Sequence, residues 1–192
     1  SYIFVALYQN YIEQQQGGYF MILTVDVGNS NVVFGTFEGD RLQFVARFSS
    51  TQNRTADEFA VLLKSILDIH NVCIPEIEGT IISSVVPPIT GTLGRAILLL
   101  TGKEPMIVGP GMKTGINILI DNPAQLGSDL LVDSVAAAAK YPKPVIIIDM
   151  GTATTLGVLT ETNAMIGGAI MPGVKISLDA LSDKTAQPVS YT

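Results

Sequence analysis

The chain reads as an α/β protein built from two copies of one strand-strand-strand-helix unit, and three observations predict this. Short apolar strands alternate with amphipathic helical stretches along most of its 192 residues. The segments "ILTVDVGNSNVVFGTF" and "VIIIDMGTATTLGVLT" share one layout of apolar run, Asp-x-Gly, small polar positions and a returning apolar run. Finally, 47% hydrophobic residues supply a sizeable core without any apolar stretch long enough to span a membrane.

Residues 1–20, rich in glutamine and tyrosine, do not resemble the rest of the chain and read as an N-terminal extension ahead of Met21. Three strands come next, "ILTVDVG", "NVVFGTFEG" and "RLQFVARFSS", the last two joined by a turn at Glu38, Gly39 and Asp40. "TADEFAVLLKSILDIH" places Phe59, Leu62, Leu63, Ile66 and Ile69 on one helical face, and Thr55 with Glu58 forms a capping box. "GTIISSVVPP" is a strand halted by two prolines, "ITGTLGRAILLLTG" a second helix, and "EPMIVGPG" a further strand. The repeat supplies "PVIIIDMG", "TATTLGVLT" and "NAMIGGAIMPG" as strands before a helical "VKISLDALSDK". This gives a first lobe over 21–121 and a second over 122–192, facing each other across a cleft.

Charge narrows the function. A net charge of −6 with 11 scattered Lys and Arg argues against nucleic acid or an anionic membrane as principal partner. A small ligand is expected. The lone Cys73 has no His or Cys at metal-ligand spacing and reads as a buried thiol, which suits a reducing, cytoplasmic compartment. His70 closes a helix and reads as a capping or surface residue.

The two Asp-x-Gly turns carry the chemistry. At the first, Gly28 lets the backbone approach a ligand, and Asn29, Ser30 and Asn31 add short donors suited to phosphate oxygens. Asp26 cannot welcome phosphate directly; it makes sense as a carboxylate holding Mg²⁺ that bridges phosphate oxygens. One such turn is an ordinary hairpin. Two in register point to a phosphate chain held between lobes.

"DVGNSN", "RTADEF", "IISSVVPP", "GPGMKTG", "DNPAQLGSD", "DMGTATT" and "GGAIMPGVKISLDAL" occur in the order found in the type III pantothenate kinases, which the chain resembles from Met21 onward. These are bacterial members of the acetate and sugar kinase/Hsc70/actin superfamily, so the resemblance implies duplicated ribonuclease H-like (actin-like ATPase) lobes with mixed sheets. It further implies ATP-dependent phosphorylation of pantothenate on its primary hydroxyl, the first step toward coenzyme A, by a homodimer needing Mg²⁺ and K⁺ or NH₄⁺.

Residue by residue, the resemblance assigns ATP binding to Asp26, Val27, Gly28, Asn29, Ser30, Asn31, Val32, Val33 and Thr152. Asp149 would hold the monovalent cation and Asp26 the magnesium. Gly167, Gly168 and Gly173 resemble the wall near the adenosine. The family's Gly-Ala-Asp-Arg motif becomes "GSDL" here, implying Asp129 as catalytic base and Gly127, Ser128, Asp129 and Leu130 as the substrate-binding segment. Without that context a helix N-cap is the alternative reading of Asp129. Leu130 replaces the usual arginine, and Ile120 the tyrosine usual before "DNP". The chain also stops at "SYT" where the family continues, so an incomplete second lobe unable to complete catalysis alone is expected, with Val145, Ile147, Leu156 and Ile170 contributing exposed apolar surface. Two other readings are a phosphohydrolase of the same superfamily and a non-catalytic regulatory relative.

Overall fold

The computed structural model describes residues 21–39, 41–109, 112–123 and 126–184. The extension read at 1–20, Asp40 of the first turn and the last eight residues lie outside the described residues.

Three strands open the fold: β1 (Met21–Val27), β2 (Asn31–Glu38) and β3 (Arg41–Ser49). Each pairs antiparallel with the next. Helix α1 (Ala56–Ile69) comes after them, and its capping box is present as the sequence requires: Thr55 accepts from the Glu58 amide while the Glu58 carboxylate accepts from the Thr55 amide. A single 3₁₀ turn at Ile74–Glu76 leads into β4 (Ile77–Ser84), then α2 (Pro87–Thr101) and β5 (Met106–Ile107). Pro87 and Pro88 open α2, where missing amide donors cost nothing, and Gly102 ends it in the left-handed conformation at φ 70°. The sheet order β3-β2-β1-β4-β5, with β1 parallel to β4, is the ribonuclease H-like arrangement.

The second sheet runs β6-β9-β8-β7, from β6 (Asn117–Ile118), β7 (Val145–Met150), β8 (Ala153–Leu159) and β9 (Ala164–Pro172). Its antiparallel β7-β8-β9 meander repeats the geometry of β1-β2-β3, and α4 (Val174–Lys184) comes next. The duplication is thus present in three dimensions. Strand β6 has no counterpart in the sequence reading; a two-residue strand carries too little periodicity to be seen.

Helix α3 (Ser128–Lys140) joins the two halves. Leu131, Val132 and Val135 pack with Ile81 of β4 and with Val108, just past β5. Leu130 turns the other way. A Cβ placed on Gly157 would lie 3.2 Å from a Leu130 methyl, and one on Gly168 would lie 3.6 Å from the other, so the helix rests on the second sheet where the strands have no side chains. On the far face of the first sheet, Phe59, Leu63 and Leu67 of α1 and Leu93 and Ile97 of α2 complete the main core. Burying side chains of this size contributes on the order of 2 kcal/mol each.

Four expectations need correction. Leu67 rather than Ile69 completes the buried stripe of α1; ten residues past Phe59, Ile69 has rotated off the face and is 74% exposed. "EPMIVGPG" forms only the two-residue β5. Cys73 is exposed: Val72 takes the buried position, and Cys73 sits outside it at the start of the 3₁₀ turn. In the second lobe Ile170 is exposed as expected, but Val145, Ile147 and Leu156 are half-buried. On β7 the alternate residues Ile146, Ile148 and Met150 are exposed, as is Asp149 near the strand's end. Strand period decides this, since Val145 and Ile147 share the face that α3 covers. Strand β1 is flanked by β2 and β4, whereas its counterpart β7 has β8 alone among the described residues.

Candidate active site

Strand β1 delivers Asp26, and the chain then turns tightly: the Gly28 amide donates to the Asn31 carbonyl at 3.0 Å. Ser50, just past β3, clamps this turn through its hydroxyl to the Gly28 carbonyl at 2.6 Å and its amide to Ser30 at 3.0 Å. The second turn copies the first. The Gly151 amide donates to the Ala153 carbonyl at 2.9 Å, and the Gly173 amide to the Thr152 carbonyl at 3.1 Å. A Cβ on Gly173 would collide with the Gly151 and Thr152 carbonyls, so glycine is required behind this turn.

The turns meet. Ser30 Oγ and Thr152 Oγ1 are hydrogen-bonded at 2.8 Å across 122 residues of sequence. Beside them lies a cleft of about 200 Å³ lined by Asp26, Asp129, Asp133 and Asp149 together with Ser83 and Val33. It has four carboxylates and no Lys, Arg or His among its described lining residues. Burial, then the charges of Asp129 and Asp149, push Asp26 up to about 6. Burial, then Asp149, Asp129 and Asp26, push Asp133 up to about 7. Such uncompensated charge favours a cation. Among the described residues no three His, Cys, Asp or Glu side chains converge tightly enough to hold a metal ion unaided. The donors lining the cleft are carboxylates, a set Mg²⁺ could use, since it takes one or two of them and fills its octahedron with water and phosphate.

Asp133 is absent from the sequence reading. Its signal was available: Asp129 and Asp133 are four residues apart, hence on one face of α3.

Helix α3 is anchored to the first sheet by hydroxyls. Ser128 Oγ donates to the Ser84 carbonyl at 2.8 Å, accepts from the Ser84 amide at 3.2 Å, and meets Ser83 Oγ at 3.2 Å. The N-cap of α3 is Gly127, not Asp129, which leaves the Asp129 carboxylate free for the cleft apart from accepting the Leu130 amide at 2.8 Å. A Cβ on Gly127 would run into that carboxylate.

A second cleft, of about 520 Å³, opens on the other side of Asp129. Asn29, Gly127, Asp129 and Leu130 border it, joined by Ile120 and by Gly167 and Gly168 of β9. Asp129 therefore borders both clefts. Of the remaining residues assigned from sequence, Val27 and Val32 are fully buried in the first lobe, and the Val27 carbonyl accepts from Val85 at 3.0 Å. Asn31 is exposed, its carbonyl closing the turn.

Fold and site together define a two-lobed ribonuclease H-like protein with an acidic cleft where its halves meet. The model of the type III pantothenate kinase family matches residues 22–190. A type III pantothenate kinase from an Exiguobacterium species is 44% identical over 167 residues, 87% of this chain and 66% of that protein. The chain thus spans just under two thirds of that curated relative. Among solved structures, a reductive activator for a corrinoid, iron-sulfur protein superposes with TM-score 0.50 at 10% identity, over 82% of this chain and 32% of the other. A Ppx/GppA phosphatase from Aquifex aeolicus does so with TM-score 0.48 at 14% identity, over 89% and 58%. The chain belongs to the type III pantothenate kinase family.

Proposed function

We propose that the protein containing this chain transfers the γ-phosphoryl group of ATP to the primary hydroxyl of pantothenate. Family membership supplies the reaction class. The observation that carries the reading is Asp129, which borders both the acidic cleft and the larger one. A carboxylate so placed can accept the hydroxyl proton as the alcohol oxygen forms its bond to phosphorus and the bond to ADP breaks.

The first turn, Asp26 to Val33, and Thr152 of the second hold the phosphate chain, with the Ser30 and Thr152 hydroxyls donating from the two lobes. Gly127 to Leu130 hold the acceptor. Asp26 and Asp149 are the carboxylates that would hold Mg²⁺ and a monovalent cation, K⁺ or NH₄⁺. When bound, these cations neutralise phosphate charge. Gly127 keeps Asp129 in place, and Ser128 ties the helix that carries it to β4. A homodimer acting in the cytoplasm completes the reading. Among the described residues no helix is long and apolar enough to cross a membrane.

A coupled assay of ADP formation by the complete gene product, with and without pantothenate, tests this. Formation that requires pantothenate supports the kinase. ADP release at the same rate without it indicates a phosphohydrolase, and no release a regulatory relative.

A further inference from the structure

Thr155 lies at the centre of β8, paired with Asp149 of β7 on one side and Ile170 of β9 on the other. Its side chain shares a face with Gly157 and Leu159 by strand alternation. That is the face on which Leu130 rests, so Thr155 sits beneath the first turn of α3, one strand repeat nearer the Asp-x-Gly turn than Gly157. The residue is 8% exposed. Its hydroxyl nonetheless has no hydrogen-bond partner among the described residues.

A buried hydroxyl without a partner is costly and uncommon in a folded protein. Thr155 borders the larger cleft, the same one that Asp129 borders. Among the described residues Thr36 Oγ1 on β2 is likewise orphaned, but Thr36 lines neither of the two clefts that Asp129 borders, so cleft access distinguishes Thr155. The cleft wall around it is largely apolar, from Val85, Leu126, Leu130, Met165 and Ile166. It has no Lys, Arg or His among the described lining residues. With the polar Asn29, Asp121 and Asn122 at its border, such a wall can take the uncharged part of a flexible alcohol by apolar contact and by hydrogen bonds.

We propose that Thr155 is a specificity-determining residue whose Oγ1 hydrogen-bonds an uncharged polar group, hydroxyl or amide, of the acceptor alcohol while Asp129 faces the reacting hydroxyl. This rests on the kinase reading. The polar group satisfies the orphaned oxygen, so binding relieves a cost that the free protein carries. Removing the hydroxyl while keeping its volume should therefore separate two effects that a purely structural threonine would move together.

The test compares wild type, Thr155→Val and Thr155→Ser in the complete gene product, by thermal unfolding and by calorimetric titration with pantothenate and, separately, with ATP. Thr155→Val is expected to unfold at the wild-type temperature or above, to bind pantothenate about tenfold more weakly or worse, and to bind ATP unchanged. Thr155→Ser is expected to keep pantothenate affinity within about threefold. Pantothenate binding by Thr155→Val within twofold of wild type overturns the assignment. So does a lower unfolding temperature with both ligands weakened alike, which marks the threonine as structural. Wild type that binds ATP but not pantothenate overturns the acceptor reading itself, and is recognised without any variant.

Discussion

Ser30 Oγ and Thr152 Oγ1 hydrogen-bond at 2.8 Å although 122 residues separate them. Each belongs to an Asp-x-Gly turn of its own lobe, so this contact is where the duplication closes on itself. It brings the tips of the two turns together, and on the proposed reading a phosphate oxygen would take over the hydrogen bond that the two hydroxyls now share.

Replacing Thr152 with Val should therefore weaken ATP binding by about tenfold to a hundredfold, the cost of losing a hydrogen bond to a charged group. The unfolding temperature should barely move, because the pair is exposed. Nucleotide titration followed by calorimetry reads this directly. Unchanged affinity would mean that the turns meet for structural reasons.

Gly127→Ala should act through Asp129. The added methyl meets the Asp129 carboxylate, which must swing away from its place between the two clefts. Turnover is expected to fall at least tenfold with the KM for ATP unchanged, since the nucleotide turns lie on other elements. Steady-state kinetics varying each substrate in turn would show it, and equal losses in both KM values would contradict it.

Much of the fold and site is legible in the sequence, and the reasons differ by element. The Thr55 to Glu58 capping box, the two prolines opening α2 and the twin Asp-x-Gly turns are local signals whose chemistry needs no tertiary context. The exposure of Cys73 is not legible, because a thiol beside a buried valine has no period to betray which of the two faces inward. Asp133 escapes notice for a different reason. Its four-residue spacing from Asp129 is a legible sign of a shared helix face, but that Asp26 and Asp149 reach the same cleft from β1 and β7 is visible only in the folded chain. Leu130 stands out in the sequence only as a missing arginine; that it packs over Gly157 and Gly168 is visible only in the folded chain.

The acidic cleft carries a pH dependence whose sign can be stated. Asp133 has its ordinary value of 3.8 raised to about 7, chiefly by burial and then by Asp149, Asp129 and Asp26. Between those values the folded state holds more protons than the unfolded one, so this group's contribution to stability falls as pH rises. Asp133→Asn removes that penalty. Its gain over wild type should be near zero at pH 3.5 and grow to about 1–2 kcal/mol by pH 8, allowing for solvent screening. Urea unfolding at a series of pH values would measure the difference. A gap that is constant with pH would show that the cleft does not hold Asp133 protonated.

Thr55→Ala provides a control remote from the cleft. Losing the N-cap of α1 should cost about 1 kcal/mol in stability and leave turnover unaltered. Denaturant midpoints and the coupled assay together check this.

The central claim is that Asp129 serves as the base for phosphoryl transfer to pantothenate. Turnover of the complete gene product and its Asp129→Asn variant, measured as pantothenate-dependent ADP formation, tests that claim most directly. The variant should retain the KM for ATP while kcat drops by about 10² to 10⁴, the usual contribution of a positioned general base. Turnover at the wild-type rate, or ADP formation indifferent to pantothenate in the wild type, would contradict the account.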